Sequence, residues 1–122
     1  MILVDSSGWI EYLIDGPRAS SLEKHLTQTE SLLVPTLVLY EVYRQLIKKI
    51  DEKEALFAVT QMEKGKISPL NQELALSAAE ISLKHKLGTA DAVIYATALF
   101  HHAKLVTLDN DFRDLPNCLV MD

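Results

Sequence analysis

The sequence predicts a three-layer α/β/α sandwich around a central, mostly parallel sheet. Short apolar segments alternate with longer segments in which apolar residues recur at helical spacing. The short segments are apolar throughout rather than at every second position, which is typical of strands that are buried on both faces. Because right-handed helical crossovers join such strands, helices are expected to cover both sides of the sheet.

The composition indicates one ordinary globular domain, which we expect to span residues 1–122. The net charge of −5 argues against a broad basic surface for nucleic acid, but not against an enzyme that reaches phosphates through bound cations. No apolar run approaches the roughly 18 residues of a membrane span, and the first residues do not resemble a signal peptide. A single cysteine, Cys118, excludes an internal disulfide and is expected to be buried. We therefore expect a cytoplasmic protein without a membrane segment.

The amino-terminal half predicts two strands and four helices. Residues 2–4 are too short a run for a helix and predict a buried strand, after which Ser6 or Ser7 caps a helix to about residue 14. A second helix is expected over about residues 18–30, and a strand over residues 32–34 ends at Pro35. Thr36 then caps a long helix to about residue 50, whose buried face is expected to carry Leu39, Val42, Leu46 and Ile50. A fourth helix opens at residue 51 or 52 and closes at Gly65, and its apolar positions are Leu56, Val59 and Met62.

The carboxy-terminal half predicts three strands and two helices. Residues 66–70 form a weak strand, and Asn71 caps a helix that runs to about residue 87 and ends at Gly88. Thr89 caps a further helix to about residue 102. Residues 105–108 form a strand that ends at Asp109, and residues 119–121 form the last strand.

Aspartates end two of the predicted strands, at Asp5 and Asp109. In a parallel sheet both would lie at the carboxyl edge, where open α/β sheets bind their ligands. Two carboxylates at such a short distance would repel each other unless one were protonated or a divalent cation lay between them. Mg²⁺ and Mn²⁺ are the divalent cations that favour oxygen ligands. Each also has a structural explanation, since Asp5 can cap the next helix and Asp109 can open the turn that follows it.

Two further acids stand in apolar surroundings. Asp91 lies in the first turn of an otherwise apolar helix, where the helix dipole alone can account for it. Glu41 interrupts an apolar run early in the long helix, where it is a candidate metal ligand or proton acceptor, with a solvated helix flank as the alternative. The sequence contains no calcium loop, no zinc-binding Cys/His pattern, no glycine-rich phosphate loop and no nucleophile elbow.

Taken together, these residues resemble the PIN-domain family. The resemblance rests on an Asp after the first strand, a Glu in a central helix, the segment Thr-Ala-Asp-Ala-Val-Ile-Tyr-Ala-Thr-Ala at 89–98 and Val-Thr-Leu-Asp-Asn-Asp-Phe at 106–112. The short chain looks like the VapC-type toxin ribonucleases of toxin–antitoxin pairs, and the similarity covers the whole chain in motif order.

The resemblance implies a metal-dependent endoribonuclease with RNA as substrate, a cognate antitoxin as partner and a homodimeric state. It implies a catalytic and metal-binding quartet and three supporting residues. The quartet is Asp5, Glu41, Asp91 and Asp109, and the supporting residues are Ser6, Thr107 and Asp111. We expect Mg²⁺ or Mn²⁺ on this quartet, with Glu41 acting through a water or orienting the nucleophile.

Some interpretations remain open at this point. The basic residues near Glu41, which are Arg44, Lys48 and Lys49, can touch phosphates or form an ordinary solvated face. Aromatic positions of the same helix and its neighbour, including Tyr40, Tyr43 and Phe57, can serve an interface or the core. Two other functions compete with the nuclease: a receiver-like phosphoacceptor domain and a non-catalytic acidic binding module. The first would require adjacent acids after strand one and a lysine that ends a late strand, and neither occurs.

Overall fold

The computed structural model describes residues 1–122 and contains five strands and six α-helices. The strands are β1 (Ile2–Val4), β2 (Leu32–Pro35), β3 (Lys66–Ser68), β4 (Lys104–Thr107) and β5 (Cys118–Val120). The helices are α1 (Ser6–Leu13), α2 (Ala19–Leu26), α3 (Thr36–Lys49), α4 (Glu52–Met62), α5 (Gln72–His85) and α6 (Thr89–Phe100). Short 3₁₀ turns at Thr29–Ser31 and Asn110–Phe112 precede β2 and β5.

The five strands form one sheet in the order β3-β2-β1-β4-β5, and every neighbouring pair is parallel. This confirms the predicted three-layer α/β/α class. From β1 the chain builds outward through β2 and β3, and then returns to place β4 on the other side of β1. The strand order therefore reverses between β1 and β4, and in open α/β sheets the ligand-binding crevice lies at the carboxyl ends of the strands at such a reversal.

The core is built from the apolar strands and one buried stripe of each amphipathic helix. In α3 the fully buried residues are Val38, Val42 and Leu46. Of the residues expected on that face, Leu39 is only partly buried and Ile50 is 51% exposed. The apolar spacing thus identified the helix correctly but misplaced its buried face by part of a turn, because α3 carries apolar residues on more than one side.

Several helix ends also differ from the prediction. Asp5, rather than Ser6 or Ser7, is the N-cap of α1, and Gly88 rather than Thr89 is the N-cap of α6. The second helix ends at Leu26, well before residue 30, and Asn71 caps α5 as expected. Cys118 is partly exposed rather than buried, because β5 is an edge strand. None of the helices combines the length and apolarity needed to cross a bilayer.

Candidate functional site

Asp5 occupies the end of β1 at the centre of the sheet. Its carboxylate Oδ1 accepts hydrogen bonds from the Gly8 backbone N–H at 3.1 Å and from Ser7 Oγ at 2.6 Å, so it caps α1. Asp5 is 4% exposed. Burial raises the pKa of Asp5 above its ordinary value; the hydrogen bonds from Ser7, Thr107 and Gly8 oppose this, and the charge of Asp109 adds to it.

Thr107, the last residue of β4, connects Asp5 to the loop that follows β4. Its Oγ1 donates to Asp5 Oδ2 at 2.5 Å and accepts from the Asp109 backbone N–H at 2.9 Å. Ser7 adds a second link, since its Oγ also accepts from the Leu108 backbone N–H at 3.0 Å. The two hydroxyls therefore hold the carboxyl ends of β1 and β4 in a defined relation to each other.

Three aspartates form a compact acidic group above this pair of strands. One carboxylate oxygen each of Asp91, Asp109 and Asp111 lies within 4.8 Å of the other two. Asp91 comes from the first turn of α6, while Asp109 caps the 3₁₀ turn by accepting from the Asp111 backbone N–H at 2.9 Å. The turn predicted after Asp109 is therefore present, and it also brings Asp111 to the group.

The proximity of these acids is visible in the pKa of Asp91, which is raised to about 6. Burial is the largest cause, followed by the charges of Asp109, Asp111, Asp5 and Glu41 in that order. Asp91 thus interacts electrostatically with every other member of the predicted quartet, although Asp5 and Glu41 do not belong to the 4.8 Å group. Such a concentration of negative charge destabilises the cluster unless a proton or a cation is bound.

Glu41 approaches the cluster from the second turn of α3. Its Oε1 is buried and has no hydrogen-bond partner. Burial raises the pKa of Glu41, the Ser6 hydroxyl opposes this, and the charge of Asp5 raises the pKa further. A buried carboxylate oxygen without a donor is costly, so this atom is suited to a proton or to an electropositive ligand.

Each of the predicted site residues therefore lies at the carboxyl edge of the sheet, but they differ in surroundings. Asp5 and Thr107 are buried and hydrogen-bonded, Asp91 and Asp109 are partly exposed, and Asp111 is exposed. Ser7 is a further residue of the site, whereas from the sequence it was expected only as a possible helix cap. Its position directly after the strand-ending Asp was a usable signal, but a hydroxyl that bridges to a strand a hundred residues away cannot be read from neighbouring residues.

The acid cluster at the β1–β4 crevice agrees with a comparison against known families, in which the PIN domain model matches residues 2–117. The chain belongs to the PIN domain family. Among curated proteins, none matches the sequence significantly.

Solved structures show the same fold as this PIN domain. A toxin–antitoxin complex from Klebsiella pneumoniae matches with a TM-score of 0.82 at 24% identity, over 98% of this chain and 97% of that one. A DNA-bound VapBC complex from Salmonella typhimurium matches with a TM-score of 0.78 at 15% identity, over 100% of this chain and 98% of that one. The VapC20 toxin of Mycobacterium tuberculosis, which cleaves the sarcin–ricin loop, matches with a TM-score of 0.73 at 19% identity, over 92% of each chain.

Proposed function

We propose that this PIN domain, residues 1–122, is a divalent-cation-dependent endoribonuclease and the toxin of a toxin–antitoxin pair. The observation that carries the proposal is the group of three aspartates whose oxygens lie within 4.8 Å of one another. They stand at the crevice where the strand order reverses, which is where sheets of this kind bind ligands.

The donor set fits a hard cation such as Mg²⁺ or Mn²⁺. Asp91, Asp109 and Asp111 offer carboxylate oxygens only, and two of the three are partly exposed, which leaves room for water and a phosphate oxygen. The unpartnered Oε1 of Glu41 adds a buried carboxylate oxygen that suits an electropositive ligand. When bound, the cation supplies Lewis acidity toward a phosphate and activates water for hydrolysis.

The chain's own residues have distinct roles in this proposal. Asp91, Asp109 and Asp111 hold the cation, and Asp5 completes the negative field in a position fixed by Ser7 and Thr107. Glu41, whose pKa is raised by burial, accepts a proton at Oε1 from the attacking water. The three donors on Asp5 keep its carboxylate from rotating, so the negative field that would attract the cation is fixed before the cation binds.

The substrate and partners are proposed from the structural neighbours. RNA is the substrate because one neighbour is a toxin that cleaves the sarcin–ricin loop, and an antitoxin is the partner because others are toxin–antitoxin complexes. Pairing with an antitoxin and with a second copy would bury apolar side chains that are half-exposed in the single chain. Those with at least 40% exposure on α3, at its C-cap and on α4 include Ile47, Ile50, Leu56 and Phe57. A cytoplasmic location is part of the same proposal.

The test is cleavage of total cellular RNA with Mn²⁺, with and without chelator. We expect Asp91→Asn to reduce cleavage by about a hundredfold or more and to weaken Mn²⁺ binding in calorimetry, because it removes one of the three clustered carboxylates. Asp15→Asn is the matched control, since Asp15 is exposed and its positive φ of 56° is well tolerated by Asn. Chelator-resistant cleavage by the parent, or full activity of Asp91→Asn, would contradict the proposal.

A further inference from the structure

One long edge of α3 continues from the acidic site as a polar, basic track. Glu41, Arg44 and Lys48 are spaced by three and four residues, so they lie along the same side of the helix. The buried stripe of the helix, which includes Val42, faces the core, and the basic edge borders it. Each step of four residues advances roughly 6 Å along the helix axis, so the track leads away from Glu41 in single-turn steps.

A cavity of about 260 Å³ lies on this edge and is lined by Tyr40, Glu41, Arg44 and Gln45. It therefore combines an aromatic ring, a guanidinium and a primary amide with one carboxylate of the candidate site. Tyr40 is 61% exposed, so its ring is open to a ligand instead of packing in the core. An aromatic ring beside a cation is a common way to bind single-stranded nucleic acid.

The charge of Arg44 is not used within the chain. The two ion pairs of the structure are Arg18–Glu11 and Arg113–Asp122, and Arg44 makes no hydrogen bond to another side chain. This exposed guanidinium stands one turn from Glu41 in a protein whose net charge is −5. A polyanion that approaches the carboxylate cluster meets strong repulsion, and cations directly beside the cluster are needed to offset it.

We propose that Tyr40, Arg44 and Lys48 form a binding track for single-stranded RNA that begins at the cleavage site. This inference rests on the proposed ribonuclease function and extends it. Arg44 pairs with a phosphodiester next to the cleaved one, and Lys48 contacts a phosphate one helical turn further on. The ring of Tyr40 stacks on a base, while Gln45, whose Oε1 accepts from Lys49 Nζ at 3.4 Å, offers its amide N–H groups to a base edge or a 2′-hydroxyl.

The distribution of side chains on α3 favours RNA over a protein partner at this edge. The apolar residues Tyr43, Ile47 and Ile50 are spaced by three and four residues along the other flank of the buried stripe. Tyr40, three residues before Tyr43 and four before Arg44, lies between this flank and the basic edge. Ile47 and Ile50 are 43% and 51% exposed. That side is therefore suited to a protein interface, whereas the Arg44 side presents cations and an amide, which are the groups that bind phosphate and bases.

The experiment measures binding and cleavage separately. Binding of a 5′-fluorescein-labelled oligouridine 12-mer is followed by fluorescence anisotropy in chelator, where no cation-dependent cleavage occurs. We expect Arg44→Ala and Tyr40→Ala each to weaken binding about fivefold to tenfold. In a plot of the logarithm of the binding constant against the logarithm of the salt concentration, Arg44→Ala should make the slope shallower by about 0.7. In Mn²⁺, both variants raise KM by a similar factor and change kcat less than twofold.

Three controls keep the outcome interpretable. Lys24→Ala removes one exposed positive charge from α2. Lys24 lies near His25 and Lys104, at the amino end of the strands and away from the acidic site, so this variant is expected to bind RNA like the parent. Tyr40→Phe keeps the ring and is expected to retain binding, and urea unfolding checks that each variant is folded. If Arg44→Ala and Tyr40→Ala bind RNA as the parent does, or Lys24→Ala weakens binding equally, the track is refuted.

The two proposals fail in different ways. A parent protein that cuts no RNA in Mn²⁺ overturns the ribonuclease function, whatever the anisotropy shows. A parent that cuts RNA while the Arg44 and Tyr40 variants retain its KM overturns the track alone. If these variants bind RNA normally but no longer associate with a second copy of the chain, the edge is a protein interface and the RNA assignment is wrong.

Discussion

Replacing Thr107 by valine tests whether a buried hydroxyl organises the acidic site. Valine has the same shape as threonine and favours strands equally, so the change removes the Oγ1 atom and little else. Thr107 is fully buried, and its Oγ1 bonds both Asp5 Oδ2 and the Asp109 backbone N–H. The substitution therefore leaves a buried carboxylate oxygen without its donor and a backbone N–H without its acceptor.

The expected loss of stability follows from these two hydrogen bonds. Leaving a buried polar group unsatisfied costs about 1–3 kcal/mol, and more when the group is charged, so we expect about 2–3 kcal/mol at pH 7. Domains of this kind are stable by about 5–15 kcal/mol, so the change is a large share of the total. With a urea m-value of about 1–3 kcal/mol/M, the unfolding midpoint should fall by about 1–2 M.

The loss should depend on pH with a definite sign. Burial raises the pKa of Asp5 above its unfolded value, so ionising Asp5 costs folding free energy as the pH rises through the folded pKa. The Thr107 hydrogen bond opposes this rise, and without it the pKa of Asp5 is higher still. At low pH, where the Asp5 carboxyl is protonated in the folded state of both proteins, this part of the difference disappears. The destabilisation should therefore be larger at pH 7 than at pH 4.5.

The assay is urea unfolding of metal-free protein in chelator at both pH values. Thr97→Val is the matched control: Thr97 is 2% exposed, but its Oγ1 donates only to the Val93 carbonyl one turn earlier in α6. We expect Thr97→Val to cost about 1 kcal/mol or less at either pH. If Thr107→Val has the same urea unfolding midpoint as the parent, or loses equal stability at pH 7 and pH 4.5, the reasoning about Asp5 is refuted.

Two further predictions concern the same edge of the sheet. Gly8→Ala should destabilise the domain by about 1–3 kcal/mol in urea unfolding, because the added Cβ would lie 2.5 Å from the stiff, buried Val4 Cγ1. Gly88→Ala is the control: its added Cβ would have no atom within 4 Å, so stability should change by under about 1 kcal/mol. Equal losses of stability in the two variants would contradict the packing argument. Because the pKa of Asp91 is raised to about 6, protons should compete with Mn²⁺ for that carboxylate below pH 6. The Mn²⁺ affinity measured by calorimetry should therefore fall by up to tenfold per pH unit below pH 6. An affinity that is equal at pH 5 and pH 7 would exclude Asp91 as a ligand.

The sequence predicted the strands better than the helix faces. All five strands were placed within about two residues, and most of them are short apolar runs, which have few alternatives. The exception is β3 (Lys66–Ser68), which has a single apolar residue and was predicted only as a weak strand. In α4 the prediction put Leu56, Val59 and Met62 at the periodic apolar positions; Met62 is fully buried, but Leu56 is 49% exposed. The other buried residues of α4 are Ala55 and Ala58, which are small and only weakly hydrophobic, so the apolar pattern gave little indication that they face the core.

The acids illustrate the same division. The position of Asp5 and Asp109 at the ends of apolar strands was enough to predict that they share an edge, since parallel strands end on the same side of a sheet. The sequence also suggested ordinary roles for them, and the structure shows these too: Asp5 caps α1 and Asp109 caps a 3₁₀ turn. Capping and membership of an acidic cluster are therefore compatible, because the helix N-termini themselves point toward the crevice.

By itself, the sequence determined the fold class and the edge at which its chemistry lies, because apolar periodicity and strand-ending residues are local properties of the chain. Tertiary structure decided the details that depend on distance between remote segments. These are the grouping of Asp91 with Asp109 and Asp111, the bridge from Thr107 to Asp5, and the unpartnered oxygen of Glu41. Charge repulsion and hydrogen bonding act over a few ångströms, and only the packing of β1, β4, α3 and α6 brings these groups within that range.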